Sequence, residues 1–242
     1  MQLIKLDAID STNDFLKAMA ANNETSDFTV VTAENQTKGR GQMGAVWNSE
    51  IGKNLIMSIL VKEVLSDVAD VFDLNIVVAL SVVAVLKKQE IPDLSIKWPN
   101  DIMSANKKIG GILIENSIKS DGSIYSIVGL GLNVNQTNFE NLPKASSLAV
   151  VTARIFDKEN LLIDIVASMK MHIGKLSENK TALWQEYERE LFRKEMPTVF
   201  EDQHAQRFMG IIKGVSESGR LQVLLESDQM KDFEIKQIQM LY

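Results

Sequence analysis

From Leu74 to Leu86 the chain is apolar at every position except Asn75 and Ser81. Wound as a helix, that run has an apolar wall too wide for a single neighbour. It is also too short to cross a bilayer. The spacing predicts a buried helix over Asp67–Lys88, in a chain that folds in layers around it. With 242 residues, the protein is large enough: a chain of this size buries about 70–75% of its unfolded surface and needs no staples.

Around that helix the patterning predicts strands and helices in irregular order. Residues 2–7 read as a short strand. Asp10 or Ser11 can cap a helix reaching Ala21, with Asp14 in its first turn. Phe28–Ala33 and Asn54–Lys62 read as strands, separated by a polar, glycine-rich loop over residues 34–53. Leu94–Trp98 is a short strand ending in a turn at Pro99-Asn100. Lys108–Ile118 and Ser123–Val134 form a hairpin through Ser120-Asp121-Gly122. Glu159–Leu176 and Ala182–Phe192 are helices. Hairpins in place of regular strand–helix alternation predict an α+β fold: a mixed β-sheet with helices on one side, not a doubly wound sheet.

After Phe192 the texture changes. Met196–Tyr242 carries short alternating runs broken by Glu201-Asp202-Gln203, Ser216-Glu217-Ser218-Gly219 and Ser227-Asp228. That reads as a small all-β unit, an SH3-like barrel. The expected division is 1–192 for a larger domain and 193–242 for the small one.

Composition excludes several classes of function. There is no cysteine, so disulfides and thiolate metal sites are out and a cytoplasmic home fits. His172 and His204 lie far apart without a metal-ligand spacing. The net charge is −6, with no basic stripe of the kind that grips DNA. The N-terminus has no signal-like apolar region, so no membrane partner is expected.

Three segments suggest chemistry. The first runs from Gly39 to Trp47, GRGQMGAVW. Its GxGxxG does not open a helix, so it is not a dinucleotide fingerprint. Kinase motifs and a GxxxxGK[ST] phosphate loop are also lacking. Taken alone it could be a flexible surface loop, but Arg40 offers a fork for phosphate or carboxylate and Trp47 a flat face for a base. The second is Lys97-Trp98-Pro99-Asn100-Asp101, which puts Asn100 and Asp101 at a strand end. The third, Lys107-Lys108-Ile109-Gly110-Gly111, has paired glycines inside a strand, a mark of close approach by a ligand or another backbone. Gly129-Leu130-Gly131-Leu132-Asn133 repeats that pattern, as either a bulge or a second close approach. A glycine-rich loop and two lysine-bearing segments converging on an anion suggest activation of a carboxylate by a nucleotide.

In this order, with Ser11-Thr12-Asn13 ahead of them and Gln36 leading the glycine loop, the segments closely resemble the biotin protein ligases. The resemblance covers residues 1 to about 190, and the C-terminal unit is similar to the family's C-terminal domain. It implies a class II synthetase-like core and a two-step reaction. Biotin and ATP, with Mg²⁺, give biotinyl-5′-AMP; the biotinyl group then passes to a lysine of a biotin carboxyl carrier protein domain, as in acetyl-CoA carboxylase. Lys108 and Arg40 would be the catalytic cations. Ser11, Thr12, Asn13, Gln36, Gly39, Arg40, Gly41, Gln42, Lys108, Gly110 and Gly111 would hold biotin. Arg40, Trp47, Lys97, Asn100, Lys108 and Asn133 would hold ATP, and Asp101 would orient the incoming lysine. No metal site of the protein's own is expected, Mg²⁺ arriving with ATP. Loop 34–53 would order over the adenylate and keep water from it. Many relatives carry arginines where Gln42 and Ala45 stand here.

The family's bifunctional members begin with a DNA-binding domain. This sequence starts at the catalytic core and resembles the monofunctional type, with no DNA partner; a homodimer through a sheet edge is compatible. The rivals are a lipoate or octanoate ligase of the same fold and a non-catalytic biotin-sensing regulator. Lipoate has no ureido group, so the polar Ser11, Thr12 and Gln36 favour biotin.

Overall fold

The structure, a computed structural model, describes residues 1–21, 24–65, 67, 70–119 and 122–242. Two expectations fall partly outside that range: the turn residues Ser120 and Asp121, and Val68 and Ala69 at the start of the long helix.

Seven strands form the main sheet in the order β1-β2-β3-β7-β6-β5-β4. They are β1 (Gln2–Ile9), β2 (Thr29–Gln36), β3 (Leu55–Lys62), β4 (Leu94–Lys97), β5 (Asp101–Ser104), β6 (Lys107–Ile118) and β7 (Ile124–Leu132). Only β1 and β2 pair in parallel, joined by α1 (Thr12–Ala21); every other neighbour is antiparallel. The sheet is mixed, as the hairpin signals predicted. Within the sheet, the strand that sequence patterning missed is β5, four residues between two turns; outside it, the short helix over Leu148–Thr152 was also missed.

Strand alternation gives the sheet two apolar faces. Leu55, Met57, Ile59 and Val61 point to one, with Val128, Leu130 and Leu132 from β7. Helices α2 (Val71–Lys88) and α4 (Lys158–Glu178) cover it, and α5 (Lys180–Arg189) packs against both. Residues 73–83 of α2 are buried all round, as the apolar run required. Its two polar interruptions are both satisfied. Asn75 Nδ2 donates to the Pro99 carbonyl at 2.8 Å and Ser81 Oγ to the Val77 carbonyl at 2.6 Å. On the opposite face α1 packs alone, through Leu16 and Ala20 against Val31, Leu60 and Ile127. So the helices expected on one side do gather there, with α1 as an addition beyond it. Because α1 covers only part of its face, room is left beside it. A short helix, α3 (Leu148–Thr152), follows the main sheet and is capped by Ser147 Oγ.

Helix α5 stops at Arg189, short of the expected Phe192. The chain straightens and runs along β4, with Ile96 N–H on the Glu190 carbonyl at 2.7 Å and Phe192 N–H on the Ile96 carbonyl at 2.9 Å. A sheet edge left bare would invite pairing with another chain; here the linker covers it.

Beyond it lie β8 (Pro197–Asp202), β9 (Arg207–Val215), β10 (Leu221–Leu225), β11 (Met230–Phe233) and β12 (Ile238–Leu241). They form a five-stranded antiparallel sheet in the order β11-β10-β9-β8-β12. This is consistent with an SH3-like unit but is not the closed barrel expected. A tight turn at Glu234–Gln237 joins β11, which pairs with β10, to β12, which pairs with β8, and these two strands are the edges of the sheet. Phe200, Phe208 and Phe233 stack inside it, and Phe200, Val223 and Met240 join the apolar core of the main sheet. Trp98 Nε1 donates to the Gly219 carbonyl at 2.9 Å across the junction.

Candidate active site

Beside α1, the face it leaves open holds a cavity of about 170 Å³. Ser11, Thr12, Asn13, Gln36, Arg40, Gly41, Gln42, Trp47, Asn100, Asp101, Lys108 and Gly111 all line it. Residues a hundred positions apart in sequence, such as Ser11 and Gly111, therefore meet at one place.

The polar end is built at the start of α1. Gln36 ends β2, and its Oε1 accepts from Thr12 N–H at 2.7 Å and Thr12 Oγ1 at 2.9 Å. Ser58 Oγ, from the middle of β3, lies 2.7 Å from Thr12 Oγ1 and donates to Asn13 Oδ1 at 2.6 Å. Asn13 Nδ2 donates to Glu115 Oε2 at 2.8 Å. Thr12, Asn13 and Ser58 are buried, so these bonds hold their side chains in fixed directions. Arg40 reaches the same corner, 2.5 Å from Asp14 Oδ1 and 3.6 Å from Glu115 Oε1.

The floor is made of glycine. Gly129 and Gly131 of β7 face the cavity. A Cβ on Gly129 would stand 2.5 Å from Asn13 Oδ1, and one on Gly131 2.4 Å from Trp47 Cε2. The glycines read from sequence as either a bulge or a close approach therefore serve a close approach, by Asn13 and by the Trp47 indole.

A bulge sets the direction of Lys108. Strand β5 pairs Ile102 with Gly110 but Met103 with Lys108, skipping Ile109. The extra residue reverses the alternation, a common use of a bulge beside a site. Lys108 Nζ thereby comes within 3.3 Å of where a Gly111 Cβ would stand, on the cavity side. It pairs with Asp101 Oδ1 at 2.6 Å and lies 5.7 Å from the Trp47 ring. Lys97 Nζ is 3.8 Å from the other oxygen of Asp101. Asn100 is tied into the sheet, its Nδ2 donating to the Ile112 carbonyl at 2.6 Å. Burial pushes the nearby Tyr242 phenol above its ordinary value.

Residues 39–47 close over the cavity as a small hairpin, with Trp47 N–H on the Gly39 carbonyl at 2.9 Å and Gly41 N–H on the Ala45 carbonyl at 2.7 Å. Gln42 Oε1 and Trp47 Nε1 are buried without a hydrogen-bond partner among the described residues. A buried acceptor and donor left open are costly, and both border the cavity.

Four expected site residues do not line it. Gly39 packs against the Trp47 carbonyl and Gly110 against the Gly131 carbonyl. Lys97 lines the neighbouring cleft. Asn133 is buried, its Nδ2 on the Ser146 carbonyl at 3.0 Å, while Ser146 N–H bonds the Lys108 carbonyl at 2.9 Å. Asn133 thus braces the segment alongside Lys108. Sequence reasoning missed Asp14, Ser58 and Glu115 as partners in the site. The signal for Ser58 was present: it is the one polar residue between Leu55 and Val61.

Against known proteins, the bifunctional ligase/repressor of Bacillus spizizenii is 32% identical over 169 residues, 68% of this chain and 51% of that protein. The chain spans about half the length of that relative. The biotin–[acetyl-CoA-carboxylase] ligase of Mycobacterium tuberculosis is 28% identical over 87% of this chain and 79% of its own. The structure of the Aquifex aeolicus biotin protein ligase in complex with biotin and ATP superimposes with a TM-score of 0.81, at 28% identity, over 99% of this chain and 98% of that one. The model of the biotin/lipoate A/B protein ligase family matches residues 6–133, a span that contains every expected site residue, and the chain belongs to that family.

Proposed function

We propose that the protein is an ATP-dependent biotin–protein ligase. In the first step a biotin carboxylate oxygen attacks the α-phosphorus of ATP, and pyrophosphate leaves with its electron pair. Two anions must meet, so fixed cations have to offset the growing charge. Lys108 and Arg40 take that role. Ser11, Thr12, Asn13, Gln36 and Gln42 form the polar end for the biotin head, with Gly41 and Gly111 beside them. Trp47, Asn100 and Lys97 face the nucleotide. Asn133 acts from behind, through the segment paired with Lys108. In the second step a carrier lysine amine attacks the acyl carbonyl and AMP leaves; Asp101 receives or orients that amine.

Mg²⁺ is assigned to the ATP phosphates, with no step routed through it. The reading includes a biotin carboxyl carrier protein domain as acceptor and a cytoplasmic setting; no helix among the described residues is long and apolar enough to cross a membrane. It also includes the division into a ligase domain over 1–192 and a small domain over 193–242, and a homodimer through a sheet edge.

The observation that carries the reading is that one cavity holds both Lys108 and Arg40, with Arg40 in the corner where the Thr12–Gln36–Asn13 network lies. Pyrophosphate release with biotin, lipoate and octanoate in parallel tests it. Release with biotin alone is expected. Release with lipoate or octanoate instead would move the chain to the other branch of its family, and no release with any would end the reading.

A further inference from the structure

The hairpin over residues 39–47 carries Arg40 and Trp47 on its two arms and turns through Gln42–Gly44 at its tip. The tip is poorly held by its own packing: Met43 is 62% exposed and Val46 72%. Met43 also sits in the left-handed backbone region, φ 52°, where a side chain with a Cβ is strained. Something outside the loop has to keep it in place.

A lysine from the C-terminal sheet does so. Lys236 Nζ donates to the Met43 carbonyl at 2.7 Å, across 193 positions of chain. Among the described residues this is the one hydrogen bond reaching the tip from outside the loop. The turn that presents Lys236 is itself braced. Gln237 N–H bonds the Glu234 carbonyl at 3.1 Å, Glu234 N–H bonds Gln237 Oε1 at 2.8 Å, and Arg220 pairs with the Glu234 carboxylate at 2.8 Å. Lys236 too has a left-handed backbone, φ 69°. Two strained positions, one at the tip of the hairpin and one in the turn between β11 and β12, thus meet at a single charged hydrogen bond.

We propose that Lys236 is a positioning residue that latches the 39–47 hairpin from the C-terminal sheet, and so sets how long an acyl-adenylate stays enclosed. The proposal rests on the ligase reading above. Lys236 touches no reacting atom. It acts through the Met43 carbonyl, which holds the turn that spaces Arg40 from Trp47. The bond is solvent-exposed, so its effect is modest: losing it should raise loop opening about three- to tenfold, the range of one net hydrogen bond. The inference also gives the C-terminal sheet a task, which is to close a site that lies in the other part of the chain.

The test compares the full chain with Lys236→Ala, Lys236→Arg and, as a surface control, Lys231→Ala. The first readout is amide hydrogen exchange of residues 39–47 without ligand, which needs no activity. The second is the rate at which biotinyl-5′-AMP escapes when no carrier is present. Lys236→Ala should speed both about three- to tenfold. Lys236→Arg should restore them, and Lys231→Ala should change neither. Exchange and escape equal in Lys236→Ala and the parent overturn the latch, as does failure of the arginine to restore them. If the parent makes no biotinyl-5′-AMP, the ligase reading fails. The exchange readout then still decides whether the contact holds the loop.

Discussion

Lys108 Nζ lies 2.6 Å from Asp101 Oδ1, although the two sit on neighbouring strands whose alternation would otherwise send Lys108 to the opposite face. The skipped Ile109 makes the difference. The ion pair is partly buried, with Lys108 35% and Asp101 18% exposed at the side chain, so desolvation offsets much of its attraction. Its value is that the lysine is held at the cavity with a partner a substrate anion can replace. Once displaced, Asp101 is left facing the same cavity.

Asp101→Asn separates the two chemical steps. The variant keeps Lys108 in the cavity without its ion pair, so biotinyl-5′-AMP should still form. Transfer to a carrier domain should fall about 10²-fold, the size of a lost acid–base or orienting group. Single-turnover assays of each step check this. Equal losses in both would remove Asp101 from its role toward the amine.

Gly131→Ala tests the glycine floor. Its methyl would overlap the Trp47 indole at 2.4 Å. Either the indole leaves or the strand shifts, at a cost of about 1–3 kcal/mol for overpacking. Denaturant melts should show the loss, and Trp47 fluorescence should move toward that of exposed indole. An unchanged melt and spectrum would mean that Trp47 does not occupy the notch.

Asp202 supplies a pH test in the C-terminal sheet. Its carboxylate accepts from Gln206 N–H at 2.9 Å and His204 N–H at 2.8 Å. The Gln206 bond first, then that of His204, holds its pKa below the ordinary 3.8. A depressed folded value means stability that is present above about 3.8. It is lost as pH falls through the lower, folded value. Thermal melts should show Asp202→Asn less stable than the parent at pH 7, with the gap closing below pH about 4. A gap that stays constant down to pH about 2 would contradict this.

Much of this architecture was legible in the chain, and the reasons for the rest are physical. The Leu74–Leu86 run announced α2 because a helix without a polar side has only one place to go. The strand pair β6–β7 followed from two long apolar runs around a turn. Strand β5 escaped notice because four residues hold too few alternations to register. The barrel was expected to close because short strands and turns look alike in closed and open sheets; here the edge strands β11 and β12 do not pair with each other. In the site, Arg40, Lys108 and Trp47 stood out as large polar groups among glycines. Asp14, Ser58 and Glu115 did not, since their part depends on register: which β3 and β6 positions lie under α1 is decided by pairing, not by local sequence. Asn133 looked like a contact and lies behind one, a distinction of strand face that spacing alone does not carry.

The most direct test of the account is single-turnover formation of biotinyl-5′-AMP by Lys108→Ala. The account predicts adenylation slowed about 10²–10³-fold, as for a lost donor to a developing oxyanion, with the fold intact by thermal melt. Adenylation at the parent's rate by a folded Lys108→Ala variant would contradict it.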